Sequence, residues 1–438
     1  MDHHLFRSSL VALLVLAACS EDQPPTAPQT AGRAGFPSAA GADAQSLPTY
    51  LVGAYYFSGW WRDSNHPVLG YDYFPGHYIH DYPQSPVDWR EHYPEREPVT
   101  GWFDDQQELV DEQIPIAAEG GLDFFVFEYF TERVDAGQFP GSQLNNNNGL
   151  KYFRTSPYRG LMRYALLYVN NGRFAITAAE SQKWYQEIQK WVQFFKDDEY
   201  LKIDNEPVFI VINAPGMGTQ WAGEESSIVE RRDAVRARLT ELRDSAIAHG
   251  FPGVVIGAGV TRPNPGLITR LSEHGYDFFT SFNAGFGDED SAEREGCPPL
   301  QQPQLGAGNK YGDLIHKNYM TCRWNLFRDA RREDTSQKPL PYAPVVVQGF
   351  DRRPVGKAGG TLPERYLVKK TPELFAQQLT LARAFVDNPD MRLPSSMGGQ
   401  RMVVIYAWNE IGEGGHLIPN QGEGEKSEYL NKVREVLP

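Results

Sequence analysis

The feature that most limits what this chain can become is a recurrence. Short apolar, β-leaning runs alternate with stretches of helical spacing about eight times. The runs lie at residues 51–57, 122–128, 163–169, 207–212, 253–258, 276–282, 343–348 and 402–407. Between them, residues 104–119, 181–196, 227–249 and 372–387 carry a helical pattern, the first with acids in its opening turn, where they suit the helix dipole. Strand–helix alternation of this kind specifies parallel β/α architecture. Eight units in roughly 390 residues predict a single (β/α)8 TIM-type barrel with long inserted loops rather than an open sheet. A doubly wound sheet would need a phosphate loop, and Gly257-Ala258-Gly259 is too short and lacks the third glycine.

The barrel is expected over residues 49–438, after two segments that are set aside from the fold. Residues 1–18 read as an export signal, with a short n-region and an apolar stretch at 10–17 that is below the ~20 residues of a membrane span. Leu16-Ala17-Ala18-Cys19 resembles a bacterial lipobox, which implies lipidation at Cys19 and a bilayer anchor at the N-terminus. Ser20 supplies no acidic retention signal, so an outer-membrane destination is expected, facing the periplasm or the cell surface. Residues 19–48, rich in Pro, Ala, Gly, Ser and Thr, read as a flexible tether. In an exported chain Cys297 and Cys322 are candidates for a disulfide within one loop region. No cysteine spacing fits a metal site, and neither a metal nor an organic cofactor is expected. With 42 Lys+Arg against 56 Asp+Glu the formal net charge is −14, which disfavours nucleic acid or an anionic membrane surface as partner.

In a barrel of parallel strands, sites form at the strands' C-terminal ends. Polar residues fall at those ends here: Ser58, Glu128, Asn170, Asn213, Asn283, Asp351 and the pair Asn409-Glu410. The densest group follows the last run, where Trp408, Asn409, Glu410, Glu413 and His416 crowd a Gly-rich turn. Glu410 and Glu413, three residues apart after a buried run, are candidates for paired catalytic carboxyl groups. Trp408, Asn409, His416, Glu128, Tyr56, Asn170 and Asp351 are candidate substrate contacts. Tyr55 and Tyr56 alternate across the first strand, so only one can point inward. The aromatic insertion at 59–102 offers Trp60, Trp61 and Trp102 as platforms for a sugar ring.

Four segments carry a family resemblance. These are the Ala407–Gly414 turn with His416-Leu417-Ile418-Pro419 behind it, residues 101–130, Tyr200-Leu201-Lys202-Ile203-Asp204-Asn205-Glu206-Pro207-Val208-Phe209, and Gly349-Phe350-Asp351. Together they resemble glycoside hydrolase family 99 and its WbsX-type relatives. The resemblance implies a carbohydrate substrate, α-mannosides in particular, and a retaining mechanism. In it Glu410 would assist the substrate's own 2-hydroxyl as internal nucleophile, and Glu413 would act as general acid and then base. Two positions depart from the family pattern: Ile411-Gly412 replace Trp-His, and Tyr168-Val169-Asn170-Asn171 lacks an acid.

The expected function is therefore glycoside hydrolysis. A non-catalytic carbohydrate-binding lipoprotein and a WbsX-type glycosyltransferase remain as alternatives. The triplet Asp288-Glu289-Asp290, which a transferase would use to hold a cation, reads as an exposed turn.

Overall fold

A computed structural model describes residues 48–60, 90, 93–131, 147–283, 297, 308–351, 366–396, 398–422 and 427–438. The export signal, Cys19, most of the tether, Trp61, Arg352, Arg353 and the 288–290 triplet lie outside the described residues. The chain divides into Met1–Gln45 and Ser46–Pro438, and all described residues belong to the second unit.

Eight parallel strands form the wall: β1 (Tyr50–Tyr56), β2 (Phe124–Tyr129), β3 (Arg163–Tyr168), β4 (Glu206–Val211), β5 (Val255–Gly259), β6 (Phe278–Thr280), β7 (Val345–Val347) and β8 (Arg401–Tyr406). They pair in chain order, and β1 pairs with both β2 and β8. The sheet closes where Phe279 of β6 bridges Tyr342, just before β7. The molecule is thus the (β/α)8 barrel that the alternation predicts. Each strand is covered on both faces, which is why the strands read as unbroken apolar runs.

Inside, space is matched across neighbouring strands. A Cβ on Gly53 would lie 2.3 Å from the Phe124 ring, and one on Gly257 would lie 2.4 Å from the Phe278 ring. The glycines of β1 and β5 therefore make room for phenylalanines of β2 and β6 in the barrel interior. Outside, α1 (Gln107–Glu119) and α2 (Asn148–Thr155) pack on β1 and β2, with Phe153 against Phe125 and Phe127. Trp184 and Trp191 of α3 (Ser181–Phe195) cover Tyr168 and Phe209.

Helices that the sequence pattern did not announce have local causes. In α4 (Ala214–Ala222) the Pro and Gly content hides a helix that Asn213 starts, its side chain accepting from the Gly216 N–H at 3.1 Å. By contrast α5 (Ile228–Ala248) opens on a capping box, Ser227 with Glu230. Helices α6 (Pro265–Ser272), α7 (Tyr319–Arg328), α8 (Pro372–Asp387) and α9 (Glu428–Val436) complete the cover used below. Cys297 and Cys322 form a disulfide with Cα atoms 5.8 Å apart, and Cys322 sits on α7 rather than in a loop.

Candidate active site

The carboxyl-bearing turn is built from the end of β8. Residues Asn409–Glu410 pair antiparallel with Gly415–His416, and the single 3-10 turn Ile411–Glu413 links them. Gly414 closes the turn at φ +72°, in left-handed backbone, where a Cβ would also press 2.9 Å from the Asp351 nitrogen. The hairpin is tied to β1, because the Trp408 N–H donates to the Tyr55 carbonyl at 2.7 Å.

Glu128, next to last in β2 and on its inward face, joins this turn. Its side chain shares a hydrogen bond with Glu410 and lies within the field of Glu413. All three carboxyl groups are buried. Burial raises the Glu128 pKa well above its ordinary value, and the Glu410 charge, the shared hydrogen bond and Glu413 add to the rise. Glu128 therefore holds its proton more tightly than an ordinary carboxyl group does. The Tyr406 hydroxyl donates to Glu413 Oε2 at 2.5 Å, and burial beside Glu413 and Glu410 keeps that phenol neutral. Tyr55 also points inward, its hydroxyl donating to the Ser281 carbonyl at 2.6 Å. Among the described residues, Glu128 Oε1 and Gln348 Nε2 are buried without a hydrogen-bond partner. No group of three or more His, Cys, Asp or Glu side chains among them could hold a metal ion.

His416 borders the pair. Its backbone N–H donates to Gln348 Oε1 at 3.1 Å, and its Nδ1 lies 3.2 Å from Asn420 Nδ2. Burial, with Lys370 and Arg96 nearby, drives its pKa well below 6.5, so the ring is neutral and Nδ1 accepts from the amide. Asp351 forms a buried ion pair with Arg96 at 2.5 Å.

Four candidate substrate contacts have their polar groups engaged within the protein. Tyr56 faces outward, its hydroxyl donating to Gln113 Oε1 of α1 at 3.0 Å, so Tyr55 is the inward member of the pair. Trp408 likewise spends its Nε1–H on Gln113 at 2.9 Å and packs against Phe125. The amide of Asn409 is used on both sides by the Phe57 backbone, at 2.8 Å each way. Asn170 binds the Asn213 backbone in both directions and Gln220 besides. Trp60 is buried, with its Nε1–H on the Asn409 carbonyl at 2.8 Å, and so supports the turn.

Sequence reasoning missed Tyr406, Gln348 and Arg96. The alternation along β8 and the polar end of β7 were signals for the first two. Nothing in sequence marks Arg96.

Residues 175–433 match the family described as Glycosyltransferase WbsX, which is more than half of the chain. The chain belongs to this family. Among solved structures it is similar to a glycoside hydrolase-like protein, at TM-score 0.54 and 15% identity over 90% of this chain and 95% of that one. It is also similar to the GH99 endo-alpha-mannosidase from Bacteroides thetaiotaomicron, at TM-score 0.50 and 10% identity over 89% and 96%. At such identities the likeness concerns the barrel fold. A comparison with curated proteins finds no match.

Proposed function

We propose that this WbsX-family barrel is a retaining glycoside hydrolase acting on a polysaccharide or glycan, with α-mannosides the first class to test. The observation that carries the reading is the buried cluster at the mouth, in which Glu410 and Glu413 stand together and Glu128 holds a proton against Glu410. Paired carboxyl groups at a barrel mouth supply the acid and the base that glycosidic cleavage requires. In this reading Glu413 protonates the leaving-group oxygen. Glu410 receives the proton of the sugar's 2-hydroxyl as that oxygen closes on the anomeric carbon. Water then attacks the anomeric carbon and opens the ring so formed, giving its proton to Glu413, while Glu410 returns its proton to the 2-oxygen. Export and anchorage through Cys19 at the outer membrane belong to the same proposal, since they would set the protein beside extracellular glycans.

The family's description favours one second reading, transfer of the sugar to an acceptor other than water. The deciding experiment is reducing-sugar release by residues 46–438, the unit that carries the barrel, from a panel of α-mannans and other glycans. Glu410→Gln and Glu413→Gln run beside it. Release that both substitutions abolish, in folded protein, supports hydrolysis. Consumption of a nucleotide-sugar with no release from any glycan supports transfer. Binding without turnover, insensitive to either substitution, leaves a sugar-binding protein.

A further inference from the structure

The segment before α1 crosses the barrel mouth and lies along the chain that leaves the reactive hairpin. The Gln421 N–H donates to the Glu97 carbonyl at 2.8 Å, the Gly422 N–H to Glu95 at 3.1 Å and the Val99 N–H to Pro419 at 2.9 Å. Pro98 bridges Asn420 antiparallel. This strap delivers Arg96, the last residue of the 3-10 turn Pro94–Arg96, into the protein beneath the turn that holds Glu413. Its guanidinium lies over the Tyr93 ring, 4.6 Å from the centroid.

Arg96 spends its donors on the two chains that flank Glu413. Nη1 donates to the Ile411 carbonyl at 3.1 Å and to the Asp351 carbonyl at 3.3 Å, while Nη2 binds Asp351 Oδ2 at 2.5 Å. The Asp351 N–H in turn donates to the Glu413 carbonyl at 2.5 Å. The 3-10 turn is thus held at its first carbonyl by Arg96 and at its last by a residue that Arg96 grips twice. A planar fork can make these contacts together, and a lysine ammonium, a point charge on a flexible stem, cannot. Removing one member of a buried ion pair strands the other, so the arrangement is expensive unless its geometry is used.

We propose that Arg96 is the positioning residue for the acid: through the strap it fixes where the Glu413 carboxyl sits relative to the leaving-group oxygen. This rests on the hydrolase reading. General acid catalysis contributes about 10²- to 10⁴-fold, and it matters least when the leaving group departs without a proton. A misplaced acid therefore gives a loss that depends on the leaving group, whereas general loosening of the fold does not.

The test compares Arg96→Lys, Arg96→Ala and Glu413→Gln on an unactivated glycan and on an aryl glycoside with a strongly acidic phenol, with thermal unfolding measured for each. Arg96→Lys is expected to lose roughly 10- to 100-fold in kcat on the glycan with KM nearly unchanged, and only a few-fold on the aryl glycoside. Glu413→Gln should show the same pattern at larger amplitude. Added guanidinium should restore part of the glycan activity of Arg96→Ala. Equal losses on both substrates, or no rescue in an Arg96→Ala protein that unfolds cooperatively, overturn the role of Arg96. Absence of leaving-group dependence in Glu413→Gln overturns the assignment of the acid and the positioning role with it. A parent inert on every glycan overturns the hydrolase reading itself, and this inference falls too.

Discussion

The barrel mouth has two halves that handle polar groups in opposite ways. After β3 and β4, Asn170, Asn213 and Gln220 satisfy one another: Gln220 Nε2 donates to the Asn170 carbonyl at 2.8 Å, and Asn170 returns a bond to Gln220 at 3.1 Å. After β2 and β8, three carboxyl groups are buried together, and Glu128 Oε1 lacks a partner among the described residues. Buried polar groups are normally paired, and like charges held together raise the cost. The amide half is therefore a finished structural joint. The carboxyl half is held at the expense of stability, which is where perturbed acids and chemistry tend to coincide.

Substitutions can break this contrast. The largest effect is expected from Glu413→Gln, with a fall in kcat of about 10²- to 10⁴-fold and no loss of melting temperature, read by steady-state kinetics and calorimetry. A stability loss as large as that of a core deletion would place Glu413 in the structural half. Tyr406→Phe removes the hydroxyl that meets Glu413 and should cost roughly 2- to 10-fold in kcat, since a hydrogen bond contributes about 0.5–1.5 kcal/mol.

Glu128 sharpens the contrast through pH. Its pKa in the fold lies above the ordinary 4.5, so the folded protein keeps a proton that the unfolded chain releases. Its contribution to stability is complete below about pH 4.5 and is lost as pH rises through the raised value. Denaturant unfolding of the parent should weaken with rising pH, by up to about 1.4 kcal/mol per pH unit from this group, and Glu128→Gln should flatten that dependence. An unchanged slope in the variant would show that Glu128 titrates normally. The smallest effect belongs to the amide half, where Gln220→Ala should cost about 1 kcal/mol of stability and leave kcat unchanged. A drop in kcat there would carry the reactive region across to β4.

The same contrast explains what could be read from sequence. Runs such as 122–128 and 402–407 announce parallel strands because both faces are buried. That burial also hides orientation: Tyr55 and Tyr56 are equally enclosed, and it is their hydroxyl partners, Ser281 and Gln113, that show Tyr56 facing α1. Glu410 and Glu413 stand out as candidates because acids directly after an apolar run are costly unless used. Asn409 and Asn170 fit the same rule, yet an amide can exhaust its donors and acceptors on nearby backbone, so a polar residue at a strand end is weaker evidence when it is neutral. Arg96 was illegible because its partners Ile411 and Asp351 lie far along the chain, and no local pattern reports such a pairing.

The hairpin that carries Glu410 hangs from the seam where β1 meets β8, with Asn409 clasping Phe57 and Trp408 bonded to Tyr55. In the order of synthesis these are the first and the last strands of the wall. The nascent chain therefore cannot assemble the carboxyl cluster until its last strand has been made.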